Sequence, residues 1–267
     1  MIKIFILTYK APEELNANLS SLFKTEGDYE VHIINNHSEV FEVNEEFRSR
    51  VIIHHQTTRL NAGTGHPARD WNQALILGFK DLMNPECEQV ILCQDDVIWH
   101  DNWIETLNKI HLKYTFYTCG WGDCFMSFKP EAVQRIGLFD ERFSIVGFQD
   151  GDYFLRAYIY NKDKSSINDS YHKRVLNPTV SVAKRYTDIP KSRSSAYQKT
   201  LGKTLWKHKW GNQDERWTNA VTATTPLCDS YITYPYFEKN ITTLREQRFI
   251  YDEFDKNMRP ELTEFRK

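Results

Sequence analysis

The sequence predicts an α/β protein with a central, mostly parallel sheet and helices on both faces. Short apolar runs, Ile2 to Thr8, Val31 to Ile34, Val51 to His54 and Val90 to Cys93, alternate with longer segments of helical periodicity. Strands separated by helix-length connections pair in parallel, because each crossover helix carries the chain back to the edge where it began. The polar stretches that follow these strands therefore lie on one edge of the sheet, the edge at which open α/β sheets bind ligands.

The elements follow in order. After the first strand, Pro12 opens a helix to about Lys24, with Leu15, Leu19, Leu22 and Phe23 on its apolar face. The second strand runs into Asn35-Asn36-His37-Ser38, and the third into the Gly-bearing loop from Arg59 to Gly65. Pro67 stands at the head of a helix to about Leu82, whose apolar residues include Trp71, Ala74, Leu75, Leu77 and Phe79. The fourth strand, Val90 to Cys93, leads through Gln94 to the adjacent carboxylates Asp95 and Asp96. Beyond a helix from about Trp103 to His111 the pattern changes to two short strands, Phe116 to Thr118 and Cys124 to Phe128, around the turn Cys119 to Asp123. Pro130 opens a short helix that stops at Gly137, and another helix starts near Asp150. A late strand, Pro178 to Lys184, ends the regular part.

Composition bounds the function. The 267 residues can bury a substantial core, and a net charge of -2 argues against bulk attraction to nucleic acid or anionic lipid. No run approaches the about 18 apolar residues of a membrane span, and the apolar N-terminus breaks at Thr8-Tyr9-Lys10, too short for a signal peptide. Five scattered cysteines suit reduced thiols, hence a cytoplasmic setting, better than a disulfide framework.

Asp95 and Asp96 carry the first functional signal. Carboxylates at the end of a buried strand cost desolvation energy unless they hold a cation or a hydrogen-bonded ligand. A divalent ion on such oxygens keeps positions free for the phosphates of a nucleotide. Capping of the helix near Asp101 is the alternative, since Asp is a favoured N-cap. Gly63-Thr64-Gly65 lacks the spacing of the dinucleotide and P-loop fingerprints.

An ordered set of segments resembles the inverting glycosyltransferases of the GT-A fold, family-2 type, over about the first two thirds of the chain. The segments are Thr8-Tyr9, Ile33 to Ser38, Asn61-Ala62-Gly63, Ala68 to Asn72, Gln94-Asp95-Asp96, Gly137 to Phe143, and Gln149 to Tyr153 with Arg156. The resemblance implies a sugar transfer from a nucleotide-diphospho-sugar donor to an acceptor hydroxyl, with inversion, assisted by Mn²⁺ or Mg²⁺. It implies a metal ligand at Asp96, a ribose or sugar contact at Asp95, nucleoside contacts at Thr8, Asn36 and Arg69, and a catalytic base at Asp150. Asp150 and Asp152 both stand at a helix head, where the dipole favours negative charge; Asp152 is the second candidate base.

The chain departs from the family pattern in four places. Gln94 and Gln149 stand where carboxylates are common, and Asn35-Asn36 where Asp-Asp is usual. The late strand has no His for a further metal ligand, so Lys184 or Arg185 is expected to neutralise the diphosphate directly; His172 is expected to be structural. The catalytic domain is expected over 1–190, with a nucleotide-sugar half to 97 and an acceptor half from 98. A helical and aromatic extension over 191–267 follows, in which Lys199, Lys203, Trp206 and Lys207 could border the acceptor. The acceptor class stays open among glycan, lipid-linked sugar, protein and modified nucleic acid. The two Gln replacements keep a second reading in view, a catalytically silent module that binds nucleotide or glycan. Nucleotidyl transfer lacks the Gly-rich basic loop expected after the first strand.

Overall fold

The computed structural model describes residues 1–36, 43–55, 67–120, 122–141, 143, 148–169, 174–175 and 180–186. The Gly-bearing loop, His172 and the C-terminal extension with Lys199, Lys203, Trp206 and Lys207 lie outside the described residues.

The elements run β1 (Ile2–Thr8), α1 (Pro12–Leu22), β2 (Tyr29–Asn35), α2 (Glu45–Arg48), β3 (Val51–His55), α3 (Pro67–Phe79), β4 (Gln89–Gln94), β5 (Val97–Trp99) and α4 (Trp103–His111). There follow β6 (Phe116–Thr118), a 3₁₀ turn (Gly122–Cys124), β7 (Phe125–Phe128), α5 (Pro130–Ile136) and α6 (Gln149–Tyr160). Four short strands complete the set: β8 (Ser165–Ser166), β9 (Asn168–Asp169), β10 (Arg174–Val175) and β11 (Ala183–Arg185).

A seven-stranded sheet has the order β3-β2-β1-β4-β7-β6-β8. Its first half is parallel, as the helical crossovers require, and β7 then joins β4 antiparallel, with β6 antiparallel to β7. This is the α/β class with a mostly parallel central sheet expected from the sequence. The strand of the hairpin that touches β4 is the second one, β7, which puts the 3₁₀ turn beside the end of β4.

The period of two along β1 divides its side chains between two cores. Phe5 and Leu7 pack under α3, α5 and α6; Ile2, Ile4 and Ile6 pack under α1 and α4. Each helical layer has a fully buried tryptophan at its centre, Trp71 in α3 and Trp103 in α4. Burying one such ring removes roughly 150–250 Å² from water, so the two layers are anchored independently on the same strands. Asn18 of α1 ties the first layer to the site edge: it donates to the Gln94 carbonyl and accepts from Trp99 Nε1.

Two sequence expectations change here. The Asp pair does not cap the helix near Asp101, because β5 intervenes and Asn102 is the N-cap of α4. The late strand is shorter than expected. It pairs antiparallel with β5, Lys184 opposite Ile98 and Arg185 opposite Val97, so that the Tyr186 N–H reaches the Asp96 carbonyl at 2.6 Å. No helix among the described residues is long and apolar enough to cross a membrane. The four described cysteines, Cys87, Cys93, Cys119 and Cys124, are buried free thiols, as expected.

Candidate functional site

β1, β2 and β4 end side by side, and their first polar residues fasten that edge. Asp95 Oδ2 accepts from the Thr8 hydroxyl at 2.9 Å and the Tyr9 N–H at 3.2 Å. The Asp95 N–H donates to the Leu7 carbonyl, and the Asn36 N–H to the Thr8 carbonyl. Thr8, Asn36 and Asp95 are thus one buried cluster. Bonds to an ionised acceptor are roughly twice as strong as neutral ones, so Asp95 stitches β1 to β4 where the strands stop pairing. Asn35 Nδ2, at the end of β2, donates to Nδ1 of His55, at the end of β3, at 3.2 Å, which adds a ring to this edge that the sequence reading passed over. Arg69 lies farther along on α3, half-exposed, with Nε 3.5 Å from Glu141 Oε2. Asn72, one turn on, holds the same Glu141 and both backbone groups of Phe139.

Asp96 faces the other way from Asp95, toward β11. Its Oδ2 lies 3.6 Å from Arg185 Nη1, and both side chains are less than one-fifth exposed. Burial alone would lower the Arg185 pKa, but the Asp96 charge, with smaller contributions from Cys124 and Asp123, outweighs it and raises the pKa further. Lys184 precedes Arg185 on a strand and is exposed, while Arg185 turns inward. The structure therefore separates the two cations that the sequence grouped, and brings only Arg185 to Asp96.

The residues can be tested against a divalent ion. Among the described residues no three His, Cys, Asp or Glu side chains converge as a metal centre. Asp95 Oδ2 is taken by Thr8 and Tyr9, and Asp96, the next residue, offers a second carboxylate as a hard oxygen donor. One carboxylate fits an ion that keeps waters and takes its other ligands from a bound diphosphate, as magnesium commonly does.

The residue that sequence reasoning missed is Asp123, in the 3₁₀ turn. Asp123 is 5% exposed, and its carboxylate accepts three hydrogen bonds, from Gln94 Nε2 at 2.6 Å, Trp71 Nε1 at 3.0 Å and Gln149 Nε2 at 3.1 Å. Gln94 Oε1 in turn accepts from Arg185 Nη2 at 3.2 Å. A polar line therefore runs Asp96, Arg185, Gln94, Asp123, Gln149. A signal was available: an acidic residue in the glycine-bearing turn Gly120 to Asp123, next to a buried strand. Nothing local in that turn says that two distant glutamines converge on it. Among the described residues, buried Arg185 Nε and Gln149 Oε1 find no hydrogen-bond partner. Leaving such groups unsatisfied costs about 1–3 kcal/mol each, so the line has a free donor near one end and a free acceptor at the other.

Asp150 follows Gln149 at the head of α6. The helix opens at Phe148, whose left-handed φ of 78° turns the chain into it without a side-chain cap. Asp150 Oδ1 accepts from the Gly151 N–H at 2.8 Å, one of the helix amides with no partner in the turn before it. The carboxylate is partly exposed and rests against the α-carbon of Gly122: a β-carbon on Gly122, which has φ +55°, would collide with Asp150 Oδ2. Asp152 occupies a different environment. It is 0% exposed and paired with Arg156 Nε at 3.1 Å, and Arg156 Nη1 donates to the Ile136 carbonyl at 2.7 Å. That enclosed pair locks α6 to the end of α5.

No protein-family model and no curated protein matches the chain. Solved structures do show likeness. S. aureus TarS is 12% identical with a TM-score of 0.49, over 82% of this chain and 41% of that one. The chain thus spans less than half of TarS. Its 1–349 form in complex with UDP-GlcNAc is 12% identical with a TM-score of 0.48, over 94% of this chain and 79% of that one. The mannosyltransferase PcManGT from Pyrobaculum calidifontis, in complex with GDP-Man and Mn2+, is 11% identical with a TM-score of 0.46, over 97% and 87%.

Proposed function

We propose that this chain is a GT-A-type glycosyltransferase that moves a sugar from a nucleotide-diphospho-sugar to an acceptor hydroxyl with inversion. The observation that carries the reading is the line from Asp96 through Arg185, Gln94 and Asp123 to Gln149, which ends beside Asp150. It joins the Asp96–Arg185 pair, whose guanidinium suits a diphosphate, to the carboxylate of Asp150, suited to an activated hydroxyl. The free Arg185 Nε is suited to a phosphate oxygen, and the free Gln149 Oε1 to a hydroxyl.

In this reading Thr8, Asn36, Asp95 and Arg69 border the nucleoside, and Arg185 offsets charge that gathers on the diphosphate as it leaves. Lys184, facing outward, takes no part. Asp96 would hold a Mn²⁺ or Mg²⁺ ion together with the diphosphate oxygens, and such an ion supplies further charge neutralisation there. The acceptor oxygen forms the bond to the anomeric carbon, the bond to the diphosphate breaks with its electron pair, and Asp150 takes the hydroxyl proton. Asp152, enclosed with Arg156, is read as structural. Gln94 and Gln149 no longer argue for a silent module, because the carboxylate they surround is Asp123.

The test is release of nucleoside diphosphate from a panel of nucleotide-sugars, UDP-GlcNAc and GDP-Man among the first, with Mn²⁺ or Mg²⁺ and no acceptor. Slow release from one donor, retained in Asp152 variants that fold and lost in Asp150→Asn, is expected. Binding without release from any donor would leave only the silent module, and neither binding nor release would remove the nucleotide-sugar reading.

A further inference from the structure

We propose that Asp123 is a positioning residue for the transfer, and that Gln94 and Gln149 are amides because Asp123 carries the negative charge of this site at one remove from Arg185. The inference rests on the nucleotide-sugar reading above and adds to it the residue that sets where the diphosphate-facing cation stands.

The chemistry of each atom forces the arrangement. A carboxylate only accepts and a guanidinium only donates, so Gln94 has one workable orientation: Nε2 toward Asp123 and Oε1 toward Arg185. Gln149 likewise presents Nε2 to Asp123 and keeps Oε1 for another donor. A glutamate at 94 or 149 would set a second carboxylate against Asp123, and two carboxylates at hydrogen-bond distance cannot both stay ionised. Amides at 94 and 149 with a carboxylate at 123 satisfy every one of these contacts. The same choice keeps the Asp123 charge one residue away from the guanidinium, so that Asp96 is the carboxylate nearest to it. Arg185 is then held in direction by a neutral carbonyl oxygen and only loosely by Asp96 at 3.6 Å, so its charge stays available to a diphosphate.

The contacts define a paired exchange that tests this. Asp123→Asn must keep its oxygen where Trp71 and Gln149 both donate, so its amide nitrogen meets the Gln94 amide nitrogen. Flipping Gln94 relieves that clash only by turning an N–H₂ toward Arg185. One hydrogen bond is lost either way. Adding Gln94→Glu restores all four, since the carboxylate placed at 94 accepts from both neighbours. It also moves the charge directly onto Arg185.

The 267-residue chain, Asp123→Asn, and the double variant Asp123→Asn/Gln94→Glu would be compared by melting temperature and by calorimetric titration with UDP and GDP. The expected result is a lowered melting temperature in the single variant and a recovered one in the double, whose nucleoside diphosphate affinity stays about tenfold or more below the parent. The double variant is read against the parent, so the comparison holds even if the single variant does not fold. Recovery of melting and affinity together would make Asp123 a structural plug and overturn the proposal. A double variant that does not regain the parental melting temperature would overturn the hydrogen-bond assignment beneath it. If the parent itself binds neither UDP nor GDP, the nucleotide-sugar reading falls and takes this inference with it; parental binding matched by the double variant sinks the inference alone.

Discussion

Gly122→Ala displaces the proposed base without changing its chemistry. The substitution has two separable effects. Glycine, which has no β-carbon, tolerates the left-handed region at φ +55°, whereas an L side chain there costs about 1–2 kcal/mol. For a chain of this size that is a fall of roughly 2–8 °C in melting temperature, at about 2–4 °C per kcal/mol. The new β-carbon would also overlap Asp150 Oδ2, a backbone-borne atom against a short side chain, so the carboxylate must turn away from its place over the 3₁₀ turn. If Asp150 takes the acceptor's proton, a displacement on the order of 1 Å costs about 10²-fold in rate. Gly120→Ala is the matched control. Gly120 also has positive φ, +84°, but its β-carbon would press on Cys124 Sγ instead of a carboxylate. The assay is transfer rate and melting temperature of both variants at saturating donor. Similar destabilisation is expected in the two, with the larger rate loss in Gly122→Ala. A Gly122→Ala protein that is destabilised as calculated yet transfers at the parental rate would refute the assignment of Asp150 as base.

Three further outcomes follow from the geometry. Asp152→Ala leaves Arg156 as an uncompensated buried charge, so a loss of about 3–5 kcal/mol in denaturant unfolding is expected, with the rate per folded molecule unchanged; a rate loss of about 10²-fold in folded protein would place Asp152 in the chemistry. Arg185→Met should weaken nucleoside diphosphate binding measured by calorimetry, whereas Lys184→Ala should not, and equal losses would contradict their opposite facing. Burial lowers the His111 pKa from 6.5 to about 4, outweighing the hydrogen bond to the Tyr114 carbonyl, which raises it; the other ring nitrogen meets Ser127, which itself accepts from Gln89. The folded pKa lies below the unfolded one, so this stability is complete above about pH 6.5 and is lost as pH falls through about 4, reaching about 3 kcal/mol. Denaturation midpoints from pH 7 to 4 check it, and a slope unchanged by His111→Gln would assign the loss to other groups.

Local pattern alone determined most of the scaffold. The apolar run of β1, the proline at the start of α1, α3 and α5, and the Asp pair after β4 each state their structure within a few residues, because strand and helix periods and turn chemistry are short-range properties. Thr8, Asn36 and Asp95 could be placed at one edge for the same reason: parallel crossovers leave no other edge for them. Tertiary structure decided everything that depends on which distant groups meet. Lys184 and Arg185 are neighbours in sequence, and only the pairing of β11 with β5 sends one outward and the other to Asp96. Asp150 and Asp152 are both acidic residues in the first turn of α6, and the packing of that helix against α5 buries one with Arg156 while the other stays at the surface of the site. Asp123 is the extreme case. Its role consists wholly of hydrogen bonds from α3, β4 and α6, segments 26 to 52 residues away, so no window of sequence around it holds the information.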